Sequence, residues 1–386
     1  MKKIIFVFSL LCFYQISQTQ TFSSKMCKFQ KNFLERLLNT YYDESLKMIV
    51  QDLTDNEIKE WSQPTYDTLV IPIYLNTVIH EKLHGFNDRL SSETYAYFIN
   101  SLCTLYVSHI DGLPQSSFLK NYIPKEIADS IYRYLIYIEG KPDIITPEFK
   151  KVLKNNEIYS VSHGIYGLLE EFNAYYTNCY FSYTIAPYFL KFSSEDLTSI
   201  DYINHYYSEI CPFYEFSYFI GSYLHFLEIH YSDKYNLLIQ DTALRKAFTM
   251  IYDNFQKTVS EMENYYIKNF EPMKIGYSND NELLLFLSLK KEDKEKDLAI
   301  LKDVISKKYE NDDYAYITDK MIKRAYSLVK RKVNKNMKKY NITFEKCKIL
   351  VFQSMGVRYK KFLERLISSP HIQSALQRFR WESSCK

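Results

Sequence analysis

The chain has 386 residues, 46% hydrophobic and 25% charged, a balance that excludes a disordered or membrane-embedded protein and allows a large core or several domains. Its formal net charge of +3 is too small to imply a polyanionic partner by itself, and no nucleic-acid partner is expected. Eight glycines and ten prolines are few breakers for this length, and with abundant Leu, Lys, Glu and Ile they predict a mainly α protein.

Residues 1–19 have the three parts of a signal peptide: the cationic Met1-Lys2-Lys3, an apolar run through Phe13, and a polar exit with small residues at Ser17 and Thr19. The apolar run is too short to span a bilayer permanently, and no later stretch offers about eighteen uninterrupted apolar residues. An exported protein without a transmembrane segment is expected, whether periplasmic, cell-surface or extracellular. Of seven cysteines, Cys12 falls in this leader, leaving Cys27, Cys103, Cys179, Cys211, Cys347 and Cys385. An even set suits disulfides in an exported chain, with Cys179–Cys211 and Cys347–Cys385 as candidate pairs.

From Cys27 to Glu60 apolar residues recur at helical spacing, among them Phe33, Leu37, Leu38, Leu46 and Ile49. "WSQPTYDT" breaks the pattern. Thr65, Asp67 or Thr68 can then cap a helix running through His84, with Pro72 near its start and Gly85 at its end. A second helix is expected from Ser91 or Ser92 through Ile110, closed by Asp111-Gly112-Leu113-Pro114. Residues 123–140 read as helix and 141–150 as a loop or short strand. Long apolar helices follow over 164–192 and 213–231, then one or two more over 233–270. Residues 271–281 form the clearest linker. This organisation predicts a helical domain over 20–270 and a charged C-terminal helical region over 285–386. The basic stretch from Lys320 to Arg365 reads as a solvated helix face. The 37 tyrosines and 26 phenylalanines are spread along the chain and read as compositional bias, not as a sugar-binding platform.

One pentad carries chemistry: His80-Glu81-Lys82-Leu83-His84. Histidines at i and i+4 share a helix face one turn apart, so both imidazoles can reach one ion. The glutamate after the first histidine points to the side of that face, where it can reach a metal-bound water without ligating. Zinc in such a setting lowers the pKa of its water to about 7 and polarises a scissile carbonyl, while the glutamate moves the proton. A metzincin continuation would need glycine and then histidine beyond the pentad, and Asn87 and Leu90 stand there instead. No Gly-x-Ser-x-Gly elbow, phosphate-cradling glycine loop or dinucleotide fingerprint is present.

A second motif, Glu171-Phe172-Asn173-Ala174-Tyr175, follows a Glu-x-x-Ala-aromatic pattern. Together the two motifs resemble the core of gluzincin-type zinc metallopeptidases, without selecting one family among them. The resemblance implies a zincin-like helical catalytic core within 20–270, a Zn2+ cofactor held by His80, His84 and Glu171, Glu81 as general base, and a peptide or protein substrate. Three departures stand out: a long gap before Glu171, a charged Lys82 inside the pentad, and Tyr175 where some gluzincins have an aspartate that orients a histidine ligand. Glu93 is a rival third ligand and Asp88 a candidate supporting carboxylate or cap. His163 could reach the site, and His205, His225, His230 or a neighbouring tyrosine could stabilise an oxyanion. The other function class open to this sequence is a non-catalytic exported helical binding protein in which the pentad is fortuitous or inactive.

Overall fold

Among the described residues, three polar side chains start the first three helices. The Ser23, Asp43 and Thr54 side chains accept the backbone N–H of Met26, Leu46 and Glu57, capping α1 (Ser24–Thr40), α2 (Glu44–Val50) and α3 (Asp55–Trp61). At Thr54 the Glu57 carboxylate accepts the Thr54 N–H in return, completing a capping box. The computed structural model describes residues 22–139, 159–190, 196–269 and 344–381, with Arg331, Lys335 and Lys338.

Helix α4 (Ile71–Leu90) has Pro72 in its first turn, where a missing N–H costs nothing. It does not stop at Gly85. A lone glycine lowers helix propensity by only about 1 kcal/mol relative to alanine, and burial of Leu75, Val78, Ile79, Leu83 and Phe86 overrides it. The helix ends where Ser91 N–H bonds to the Asn87 and Asp88 carbonyls at 2.9 and 3.1 Å.

The expected second helix is instead a β-hairpin. Strands β1 (Thr94–Asn100) and β2 (Cys103–Ser108) pair antiparallel, Thr94 opposite Ser108 and Phe98 opposite Thr104, with an irregularity between Phe98 and Asn100. The residues explain the outcome: Tyr95, Tyr97, Phe98, Ile99, Thr104, Tyr106 and Val107 are β-branched or aromatic. The Asn100 side chain accepts the Leu102 N–H at 2.9 Å and turns the chain.

In place of the helix expected over 123–140, residues 123–139 contain two single helical turns, Lys125–Ala128 and Tyr134–Tyr137. Helix α5 (Gly164–Thr184) begins at a glycine with φ +57°, where a Cβ would lie 2.6 Å from the Pro114 carbonyl oxygen. Both the left-handed backbone and the close approach require glycine there. The helix expected over 164–192 is interrupted at Ile185, and α6 (Ala186–Leu190) follows the break. The one expected over 213–231 starts earlier, as α7 (Asp196–His230), and carries Pro212 inside it. Helices α8 (Ser232–Gln240), α9 (Thr242–Asn269), α10 (Phe344–Ile367) and α11 (Pro370–Phe379) come next. The protein is mainly helical. Among the described residues no helix is long and apolar enough to cross a membrane.

The chain divides into two units. One comprises Met1–Phe192, His205–Asn269 and Lys360–Lys386; the other comprises Ser193–Asn204 and Phe270–Tyr359. In the second unit the described helical residues are the first turns of α7, Arg331, Lys335 and Lys338, and the α10 residues before Lys360. In the first, α5 packs against α4, α9 and β1. Its Phe172 meets the rings of Phe213, Phe216, Tyr252 and Phe255 at 5.2–6.5 Å. Aromatic contacts of this kind add to the large apolar area each ring removes from water.

The Cys179–Cys211 disulfide is not formed. Cys27, Cys103, Cys179 and Cys211 are free, and Cys179 Sγ lies 3.8 Å from Met262 Sδ, buried between α5 and α9. Burial pushes the Cys179 and Cys211 thiols up, so each behaves as a small apolar side chain. The leader over 1–19, the loop over 141–150, the 271–281 linker and Cys385 of the Cys347–Cys385 pair lie outside the described residues.

Candidate metal centre

On α4 the two pentad rings lie 4.8 Å apart at 72°, and their Nε2 atoms approach to 3.1 Å, as i,i+4 spacing on one helix face allows. Helix α5 closes the same point from the other side. Glu171 Oε2 is 3.4 Å from His80 Nε2 and 3.7 Å from His84 Nε2. Ligand atoms about 2.0–2.1 Å from a tetrahedral zinc stand about 3.3 Å from one another, so these separations suit one small cation. His80 and Glu171 are buried, and the His84 side chain is 24% exposed. Glu171 Oε2 is buried without a hydrogen-bond partner among the described residues, as befits an atom aimed at a cation.

The electrostatics match the geometry. Burial would raise the Glu171 carboxyl, but His84 and His80 outweigh it and hold it down at about 2. Burial would lower His84, but Glu171 and Glu170 outweigh it and hold the ring well above the usual histidine range. The carboxylates therefore face positive charge, which either a proton on His84 or a divalent cation can supply.

Glu81 sits beside His80, half-buried, and carries no hydrogen bond or ion pair among the described residues. Lys82 turns away from the histidines. Its Nζ lies 2.7 Å from Asp52 and 3.0 Å from Glu57, so its charge is tied to the N-terminal segment. Tyr175 packs its ring edge-on to His80 at 4.7 Å. Its hydroxyl meets that of Tyr137 at 2.8 Å, and the Arg133 guanidinium stands 4.6 Å from its ring centre. Burial, partly offset by Arg133, pushes the Tyr175 phenol up to about 12, so it stays protonated at neutral pH.

Comparison with known proteins finds no matching family model, no matching curated protein and no matching solved structure.

Several residues that the sequence offers for the site lie elsewhere. Glu93 is exposed at the entry to β1, because the hairpin leaves Ser92 and Glu93 outside the pairing. Asp88 is exposed too; the supporting role falls to Asn87, which is buried one residue earlier on α4. His163 is the exposed residue before α5 and contacts Ser162 Oγ at 2.8 Å and the Tyr95 ring. His205 is buried against Ser182 Oγ at 2.8 Å and Glu209 at 3.6 Å. His225 and His230, on α7, pack against the Tyr122 ring. None of these joins the cluster. Sequence reading gives no role to Asn87, Tyr137 or Arg133, and it sets Glu170 aside in favour of Glu171 because adjacent helical residues point about 100° apart. Asn87 alone leaves a signal, since three residues beyond His84 it falls on the same helix face.

Proposed function

We propose that the protein is an exported zinc-dependent metallopeptidase. The observation that carries the reading is the convergence of His80 Nε2, His84 Nε2 and Glu171 Oε2 from two helices, all three within 4.8 Å of one another. Three protein ligands leave a fourth tetrahedral position for water or substrate, the arrangement of catalytic and not of closed structural zinc sites. Bound zinc would supply Lewis acidity and a water that ionises near neutral pH. Glu81 takes the proton of the attacking water and returns it to the departing amine nitrogen. Tyr175 holds the His80 ring by packing against it, and Lys82 anchors the helix from its far side.

Metal analysis of the purified protein tests the first half of this reading. About one zinc per chain is expected, lost when His80 or His84 becomes alanine; a chain that binds no zinc refutes it. Glu81→Gln tests the second half. Zinc should stay and peptide hydrolysis should fall by roughly 10²–10⁴-fold or more, because an amide cannot take the proton. Activity within a few fold of the parent removes Glu81 from the role.

One observation favours a second reading. His80 is 6% and Glu171 8% exposed, which suits a cation that ties α4 to α5 without meeting a substrate. Under that reading the protein is a non-catalytic helical binding protein, and zinc binds without any peptidase activity being found.

A further inference from the structure

We infer that Glu170, held by Asn87, is the positioning residue of this centre: it fixes a proton on His84 Nδ1 so that Nε2 can offer its lone pair to a cation, a last step that rests on the metal reading. One donor in this chain of bonds is unambiguous. The Phe98 backbone N–H can only donate, and it donates to Asn87 Oδ1 at 2.9 Å. That sets the orientation of the Asn87 amide, so Nδ2 is the atom that faces Glu170 Oε1 at 3.1 Å. The same Oε1 lies 3.1 Å from His84 Nδ1. A carboxylate oxygen carries no proton and only accepts, which makes His84 Nδ1 the donor. The remaining nitrogen, Nε2, is the one turned toward His80 and Glu171.

The Asn87–Glu170 link is shielded from water. Asn87 is 2% exposed and Glu170 is also buried, so hydration is no easy substitute for a lost partner. The Phe98 peptide is gripped from both helices, since Asn173 Nδ2 of α5 donates to its carbonyl at 3.0 Å. The hairpin thereby enters the machinery: β1 orients Asn87, Asn87 orients Glu170, and Glu170 orients the imidazole. A ligating histidine whose second nitrogen donates to a carboxylate is held in tautomer and direction, and loss of such a partner typically weakens metal binding about 10–100-fold. Here the supporting carboxylate immediately precedes the ligand Glu171, while Tyr175 occupies the position where some gluzincins place theirs.

The test uses the full chain labelled with ¹⁵N-histidine and Co2+ as the probe. In the metal-free protein a slowly exchanging ring N–H is expected at His84 Nδ1. It should vanish in Glu170→Ala and persist in Glu81→Gln. Co2+ affinity should fall about 10–100-fold in Glu170→Ala, recover in part in Glu170→Asp, and fall several-fold in Asn87→Ala, which serves if Glu170→Ala does not fold. Absence of the Nδ1 proton in the parent, or unchanged Co2+ affinity in both Glu170→Ala and Asn87→Ala, overturns the inference. A parent that shows the Nδ1 proton but takes up no Co2+ refutes the metal reading and leaves the positioning role standing.

Discussion

Replacing Arg133 by methionine should destabilise the first unit more than removal of any exposed cation. The guanidinium is buried, donates to Glu215 Oε2 at 2.7 Å and to the Ser208 carbonyl at 3.1 Å, and lies against the Tyr175 ring. Glu215 has 0% exposure, so the substitution leaves its carboxylate without the guanidinium in a place water does not reach. Breaking a buried pair from one side costs about 3–5 kcal/mol, because the surviving charge loses its counter-charge. Removing both ends, Arg133→Met with Glu215→Met, should recover most of that loss, since a well-packed apolar pair is often as stable as the ion pair it replaces. Urea unfolding of the parent, both single variants and the double variant closes the cycle. A cost below about 1 kcal/mol for Arg133→Met, or a double variant no more stable than that single one, would refute the reasoning.

Lys82→Met should cost only about 1 kcal/mol and leave metal affinity unchanged, because Asp52 and Glu57 are 48% and 23% exposed and regain water when the ammonium is lost; loss of metal would place Lys82 in the site after all. Glu209→Gln should stabilise the protein increasingly as pH rises from 5 toward 7. Burial raises the Glu209 carboxyl to about 7, so its stability contribution is intact below the unfolded-state value and is lost as pH rises through about 7, a difference of about 3 kcal/mol at most that the amide abolishes. A variant-minus-parent difference that is flat across pH 5–8 in urea titrations would remove Glu209 as the cause. His205 acts on the opposite limb: burial holds it down at about 4, and stability falls as pH drops from about 6.5 toward that value. Gly221→Ala should destabilise by about 1–3 kcal/mol, since the new Cβ would stand 2.8 Å from Ile372 Cγ2 of α11; a neutral or higher melting temperature would show that α11 shifts freely.

The features legible in the sequence are those written locally. The apolar spacing of Phe33, Leu37, Leu38, Leu46 and Ile49 marks the first helices, and the pentad places both imidazoles on one face within a single turn. The hairpin is illegible because Tyr95 to Val107 contains too few residues for alternation to stand out from helical spacing in so aromatic a stretch. Gly85 misleads for a related reason: its local preference to end a helix is weaker than the burial of Leu83 and Phe86 on either side of it. Glu170 cannot be placed by inspection. It is 86 residues from His84, and adjacency to Glu171 on a helix argues that only one of the two faces the metal. Both turn to α4, one to the front of His84 and the other to its back.

That separation also orders the events of the protein's assembly. Two imidazoles on α4 exist as a pair as soon as that helix forms, but the carboxylate arrives only when α5 has docked, and the hairpin between them in the chain must fold for the His84 tautomer to be held. A nascent chain therefore has no complete chelate to offer. On the metal reading, a cation would find all three ligands together only in a folded molecule, so the metals present where folding finishes would decide which one is held.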